Sequence, residues 1–589
     1  MSYSCLLLST YYEPFLDLYY NNIPNLKQLS YEEQKQNLQS AFFGDSDFYS
    51  NGLRQAGWRS DDIIMNCHYL QNTWAKENNI HGLVGKILEI AAMQIKLYQP
   101  DVVYIHDLNI ITNKFLKYIK PFTKLIVGQS GSPSLPTIDL SLFDIMFTLL
   151  DHLVDHYRQN NITAYLNYLA FDERVLKQIK PGKKKYPVTF IGACRDTFYE
   201  KRCELFNALS KEINIDHWGP SSYGSLNYKG QAWGIDMFSL LSQSEITLNC
   251  HVDAAKNFAA NMRLYEATGC GTLLITDHKD NLDEIFKIGR EVISYRSPEE
   301  CIEIIKFYLN HPEERNKIAE AGQKRTLKEH TYENRMKSTA EILERHLRYK
   351  SEKKFNVDLS KISIRFKQVQ PEQITTKMVK GWKSKKIPTQ QRAIVQKSLS
   401  NMYQGIIAET EIALTKLLLN YVNQSCSLLE IGCSSGYYYE ILEYLLKIKL
   451  NYYGVDYSKP MIQMAKDYYP KTPFYVADGS FLPFRDKQFY IVISSCILLH
   501  VPNYKDHIKE TARIAERYII AHRTPVCKRK STHYIKKLAY GQEIVEIIFN
   551  EKELIEHFVS NGLKLISRYQ YFADPKYDEC GISYLFEKF

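Results

Sequence analysis

Between Leu428 and Asp478 one pattern occurs three times: a short apolar run that closes on an acidic residue. Leu428-Leu429-Glu430 leads into the small-residue turn Ile431-Gly432-Cys433-Ser434-Ser435-Gly436, Tyr452-Tyr453-Gly454-Val455 leads to Asp456, and Phe474-Tyr475-Val476-Ala477 leads to Asp478. Apolar runs of this length, bounded by turn residues, read as buried strands of an α/β sheet. Such a sheet presents the carboxyl ends of its strands on one edge, where ligands bind. Gly432 and Gly436 let a ligand approach the backbone, and the helix opening after the turn offers unpaired N–H groups. Asp456 is suited to accept both ribose hydroxyls and Asp478 to pair with an adenine amino group, so three acids on one edge define one nucleoside pocket. The glycine turn alone also suits a dinucleotide, or a turn that binds nothing.

With the turn Leu482-Pro483-Phe484 and a fourth strand Phe489–Ile493, residues 373–589 resemble a class I S-adenosylmethionine-dependent methyltransferase of Rossmann-like fold. The resemblance implies S-adenosylmethionine as cofactor. It gives Glu430, Gly432 and Gly436 to the methionine part, Asp456 to the ribose, and Asp478 with Gly479 to the adenine, with Tyr457 and Ser458 also among the cofactor-binding residues. Ser434 departs from the commonest form, which has a glycine there. Base-methylating relatives carry an Asn-Pro-Pro-Tyr type motif after the fourth strand, where this chain reads Ser494-Ser495-Cys496-Ile497-Leu498-Leu499-His500. That argues against base methylation; an oxygen acceptor would need its proton removed as the methyl arrives. His500 and His522, near the ends of the fourth and fifth strands, are the candidate bases.

At 589 residues the chain exceeds a single core, because cores stop growing beyond roughly 250 to 300 residues. Upstream, apolar runs at Asp101–Ile105, Lys124–Val127, Val188–Ile191, Ile246–Leu248 and Thr272–Ile275 alternate with helical patterns. A Pro, Gly and Lys cluster at Lys180–Lys185 marks a seam between two α/β lobes, 1–180 and 181–345. The helical stretch Pro298–Tyr349 is expected to close the second lobe. A basic linker, 346–372, then leads to the third domain, 373–589.

Asn261-Met262-Arg263-Leu264-Tyr265-Glu266 opens a helix with an amide and a guanidinium, a combination that suits a diphosphate. Together with Val188–Gly192, Arg202, Asn281–Phe286 and Ile318–Arg335, this block resembles the spore-maturation (CgeB-like) branch of the two-lobed GT-B glycosyltransferases. The resemblance implies a nucleotide-sugar bound by Asn261, Arg263, Glu266 and Lys256 in the second lobe, and an acceptor presented by the first. Asp47, His106 and Asp107 are candidate acceptor bases. Phe258 stands where many retaining members have a second glutamate, which leaves the stereochemical outcome open.

An apolar fraction of 45% with 24% charged residues, and no apolar run near the roughly 20 residues of a membrane span, describe a soluble, cytoplasmic chain. Met1–Tyr12 has an apolar run without a basic flank and reads as a buried strand. Twelve cysteines without a C-x-x-C pair, and no His/Cys cluster at zinc spacing, indicate reduced thiols and no metal site. The net charge of +9 concentrates between Arg345 and Lys397, either a solvated connector or a contact for an anionic partner such as the inner membrane face. The sequence therefore predicts a bifunctional enzyme that adds a sugar to a glycan or lipid-linked saccharide and methylates a hydroxyl of it. The alternatives are a methyltransferase carrying a non-catalytic glycan-binding module and an RNA-directed methyltransferase. The missing base-methylation motif disfavours nucleic acid as partner.

Overall fold

The computed structural model describes residues 2–83, 85–131, 137–179, 182–194, 199–351, 363–576 and 578–589. Lys180 and Pro181 of the expected seam and residues 352–362 of the expected linker lie outside the described residues. The chain divides into two compact units, Met1–Ser351 and Glu352–Phe589.

The first unit holds two parallel six-stranded sheets. One is built from β1 (Ser4–Ser9), β2 (Arg59–Ile64), β3 (Val102–Ile105), β4 (Leu125–Ser130), β5 (Ile145–Thr148) and β6 (Ala164–Leu166) in the order β2-β1-β3-β4-β5-β6. The other is built from β7 (Tyr186–Ile191), β8 (Asp216–Trp218), β9 (Asn227–Tyr228), β10 (Ser244–Asn249), β11 (Leu273–Asp277) and β12 (Ile293–Tyr295) in the order β12-β11-β10-β7-β8-β9. β3, β4 and β5 are buried along their whole length, as strands covered by helices on both faces must be. The lobes meet where Trp233 stands edge-on to Phe15 and Phe43, at 5.9 and 6.4 Å. There the Ile235 N–H donates to the Ala41 carbonyl at 2.9 Å. Gly234 is required at this seam: its φ is +52°, and a Cβ would lie 2.0 Å from the Ala41 oxygen.

One expectation is corrected. The helix Tyr332–Ser351 packs on the first lobe, so the stretch Pro298–Tyr349 does not close the second lobe alone. Trp58 Nε1 donates to Glu344 at 3.1 Å, Tyr165 pairs with His346 at 2.9 Å, and Lys350 meets Asp144 at 2.6 Å. Gly52 of the helix Phe48–Gln55 lets it approach, since a Cβ there would lie 2.7 Å from the Tyr332 carbonyl oxygen.

The second unit holds one ten-stranded sheet. Its strands are β13 (Ser363–Val369), β14 (Ser427–Ile431), β15 (Asn451–Asp456), β16 (Phe474–Val476), β17 (Phe489–Ser495), β18 (Ala515–Cys527), β19 (His533–Ala539), β20 (Gln542–Asn550), β21 (Leu563–Asp574) and β22 (Glu579–Lys588). The path is β13-β19-β20-β18-β17-β14-β15-β16, with β22 between β18 and β21. The chain enters at β14, winds out through β15 and β16, and returns to β17 on the other side, all parallel. That reversal is a topological switch point, where a crevice opens at the carboxyl ends. The expected linker 346–372 is also corrected at both ends: 346–351 continue a helix of the first unit, and 363–369 pair antiparallel with β19. Ile364, Phe366 and Val369 alternate with basic and polar residues, a strand pattern that the charge count conceals.

Candidate functional sites

At the switch point a cavity of about 230 Å³ is lined by Gly432, Ser434, Asp456, Tyr457, Ser458, Asp478 and Gly479, with Trp382, Gln391, Tyr437 and Met461. The turn after β14 is shaped for backbone access. Gly432 has φ +80°, and a Cβ there would lie 2.9 Å from the Ser495 oxygen. Gly436, at φ +76°, precedes the helix Tyr437–Leu446, and a Cβ on it would meet the Phe474 ring at 2.7 Å. Ser434 occupies a left-handed position, φ +52°, which explains why a glycine is common there. Its N–H donates to Asp456 at 3.0 Å and its hydroxyl to Gln391. The Ser458 N–H donates to the other Asp456 oxygen at 2.8 Å. Each Asp456 oxygen thus keeps a second lone pair, and burial pushes the carboxyl up to about 6.

Glu430 lies beneath the turn. Burial pushes it up to about 7 although Tyr452 donates to its Oε2, and its buried Oε1 has no partner among the described residues. Asp478 accepts from the Ser480 N–H at 2.9 Å and is exposed. The cavity suits S-adenosylmethionine by its donors as well as its acids: Trp382 Nε1 and Ser458 Oγ are buried without partners among the described residues, and both residues line it.

A second cavity, of about 360 Å³, adjoins the first, and Trp382, Cys496, His500, Arg523 and Tyr540 line both. Ser434, Cys496, Arg523 and Tyr540 all have left-handed backbones, at φ 52, 52, 57 and 51°. Non-glycine strain of this kind gathers at functional sites. Tyr540-Gly541 is the two-residue turn of the β19–β20 hairpin, both residues at positive φ, which presents the tyrosine to the cavity. Arg523 sits where the β18–β22 register shifts between Ala521 and Thr524.

The two histidines differ. His500 lines both cavities and packs on Trp382 at 4.8 Å. Its Nδ1 lies 2.9 Å from the Val545 carbonyl, which can only accept. Nδ1 therefore carries the proton and Nε2 the lone pair, while burial pulls the imidazole down to about 4 and keeps it neutral. His522 lines neither cavity: it is buried, with Nδ1 2.9 Å from Ser583 and Nε2 2.9 Å from Tyr438. Both nitrogens are engaged, which removes it as a base.

In the first unit the carboxyl ends of β10 and β11 carry a hydrogen-bonded set. Asn261 donates to Asn249 at 2.7 Å, and His251 Nδ1 lies 2.7 Å from Asp277, which Lys279 also meets at 3.1 Å. Burial works against the Asp277 charge, yet His251 and Lys279 hold the carboxyl well below the usual carboxylate range. Arg263 pairs with Glu266 at 2.8 Å and donates to the Ile191 carbonyl at 3.1 Å. Burial raises the Glu266 carboxyl despite Arg263, and the Asp45 charge raises it further. Lys256 is exposed at φ +54°.

His106 Nδ1 lies 3.6 Å from that same Asp45, which accepts from the Tyr332 hydroxyl at 2.9 Å. The structure thus joins His106 to Asp45, whose charge also acts on Glu266. Asp47 does not join them as a free base: Arg54 at 3.0 Å and Arg174 at 2.7 Å hold its oxygens. Asp107 accepts from Thr10 at 2.8 Å. The sequence reading missed Asp45, His251 and Asp277, and in the second unit Trp382, Gln391, Arg523 and Tyr540.

Residues 201–341 match the family model of a glycosyl transferase-like domain. Residues 429–517 match that of a methyltransferase domain. The chain is an enzyme of two parts, a glycosyltransferase-like domain followed by a methyltransferase domain, both in Rossmann-like α/β folds. No curated protein matches it. Similar solved structures include an S-adenosylmethionine-dependent methyltransferase from Methanosarcina mazei, 16% identical over 29% of this chain and 95% of that one, TM-score 0.23. Others are the magnesium protoporphyrin IX methyltransferase of Synechocystis PCC 6803 with bound S-adenosylmethionine, 16% identical over 33% and 84%, TM-score 0.24, and the 1,6-didemethyltoxoflavin-N1-methyltransferase of Burkholderia thailandensis, 16% identical over 34% and 90%, TM-score 0.24. No helix among the described residues is long and apolar enough to cross a membrane.

Proposed function

We propose that the first unit transfers a sugar from a nucleotide-sugar to a glycan, as in CgeB-like enzymes, and that the second methylates a hydroxyl of the same glycan. The observation that carries the methyl half is His500, a neutral imidazole between two joined cavities with Nε2 unpartnered among the described residues. The first cavity takes S-adenosylmethionine, which supplies an electrophilic methyl on a sulfonium. Asp456 accepts the ribose hydroxyls, Asp478 the adenine amino group, and the backbone at Gly432 and Gly436 admits the methionine part. With the cofactor held there, an acceptor hydroxyl in the second cavity would give its proton to His500 Nε2 as its oxygen takes the methyl, the methyl–sulfur bond breaking to leave S-adenosylhomocysteine. In the first unit, Asn261, Arg263 and Lys256 take the diphosphate, Glu266 the ribose, and His106 with Asp45 the acceptor proton. Two transferases on one chain raise the local concentration of the first product at the second site. If the glycan is lipid-linked, Lys377, Lys380, Lys385 and Lys386, all exposed, can meet an anionic membrane face. The test is incubation of the full chain with nucleotide-sugars, labelled S-adenosylmethionine and glycans, followed by methyl-ether analysis. Label on nitrogen, or none, contradicts the reading.

A second reading has one observation in its favour. Arg263, half-buried, is already paired with a buried Glu266, as a non-catalytic glycan-binding module would allow. Nucleotide-sugar hydrolysis or transfer that disappears in Glu266→Ala eliminates that reading.

A further inference from the structure

Arg523 is the cationic group that the methyl-transfer scheme leaves unused. Its guanidinium makes no hydrogen bond or ion pair with any described residue, yet it stands in the wall common to both cavities. Its neighbours include the phenol rings of Tyr437, Tyr438 and Tyr571 and the Cys496 thiol, none of which carries a negative charge at neutral pH; the Glu411 carboxylate feels its charge but is bonded to Ser398 and the Ala408 N–H. Lys537, in the second cavity, is already paired with Glu546 at 2.7 Å, and Glu579 lines the same space. A guanidinium half-removed from water with no described carboxylate in contact is costly, and a ligand that completes it offsets that cost. The backbone supports this: Arg523 stands at φ +57° where the β18–β22 register shifts, non-glycine strain of the kind that gathers at functional sites. A second feature points the same way. Lys377, Lys380, Lys383, Lys385 and Lys386, all exposed, belong to the segment whose Val379 and Trp382 wall the first cavity. A mouth of one sign draws in ligands of the other.

We propose that the saccharide methylated in the second cavity bears an oxyanion, a carboxylate or a phosphate, and that Arg523 binds it. The fork of five N–H donors matches either group in bidentate fashion. This rests on the methyl-transfer reading for the word "methylated"; the binding itself does not depend on it.

The test uses the full chain saturated with S-adenosylhomocysteine and titrated calorimetrically with glucuronate, glucose 6-phosphate and glucose. Either anion is expected to bind at least about tenfold more tightly than glucose, and the better one identifies the source of the oxyanion. Arg523→Gln should abolish that difference, Arg523→Lys should retain part of it, and S-adenosylhomocysteine affinity should hold within about twofold in both. Equal affinity for anions and glucose overturns the proposal. So does a loss of S-adenosylhomocysteine binding in a folded Arg523→Gln protein, which would give the guanidinium to the methionine carboxylate. Should Arg523→Gln fail to show a cooperative thermal transition, the comparison of anions with glucose on the unaltered protein carries the test. Anion binding without any methyl ether formed on any acceptor would retain Arg523 as an anion site and sink the methyl-transfer reading alone.

Discussion

Asp456 shows how one residue sets a condition for the cofactor. Burial raises it to about 6 while two backbone N–H groups favour its charge. Ribose hydroxyls donate to the ionised form, so binding favours deprotonation, and affinity for S-adenosylhomocysteine should weaken as pH falls through about 6. Calorimetry across pH 5 to 8 checks this; Asp456→Asn should bind roughly tenfold or more weakly and lose the pH dependence. His500 titrates lower, near 4, so it stays neutral above about pH 5 and should add no step to the rate there. His500→Ala is expected to slow methyl transfer by about a hundredfold with S-adenosylhomocysteine affinity nearly unchanged, separable by kinetics and binding. The acids of this site were legible because a strand end needs only its own pattern. Trp382, Gln391, Arg523 and Tyr540 were not, because distant segments deliver them and a left-handed turn or a β-irregularity aims them. His522 was misplaced for the converse reason: adjacency to a strand end says nothing of which face its ring takes.

At the scale of elements, small residues decide which surfaces can touch. Gly436→Ala forces a Cβ into the Phe474 ring at a left-handed position and should cost roughly 1–3 kcal/mol, with loss of cofactor binding. Gly234→Ala pushes on a backbone oxygen at the lobe seam and should cost roughly 3 kcal/mol, read as a lower midpoint of thermal unfolding. The central parallel strands were legible, since wholly buried runs such as Val102–Ile105 and Leu125–Ser130 differ sharply from their surroundings. The docking of the helix Tyr332–Ser351 was not: its partners Trp58, Tyr165 and Asp144 lie nearly two hundred or more residues upstream. The strand Ser363–Val369 was hidden by its own basic residues, because a run of charge reads as a connector and says nothing of backbone pairing.

The whole molecule joins two units, each with its own sheets and its own site. S-adenosylhomocysteine at a hundred times its dissociation constant should stabilise the second unit by about 2.7 kcal/mol, raising one calorimetric transition and not the other. A nucleotide-sugar should do the reverse. The central claim is that both units act on one glycan, and the most direct measurement is the rate of methyl-ether formation by the full chain on a glycan acceptor, with and without the nucleotide-sugar that extends it. The account predicts oxygen-linked methyl on the extended glycan, formed faster than on the unextended one and lost in His500→Ala. Methylation indifferent to extension, or label on an acceptor that is not a saccharide, would contradict it.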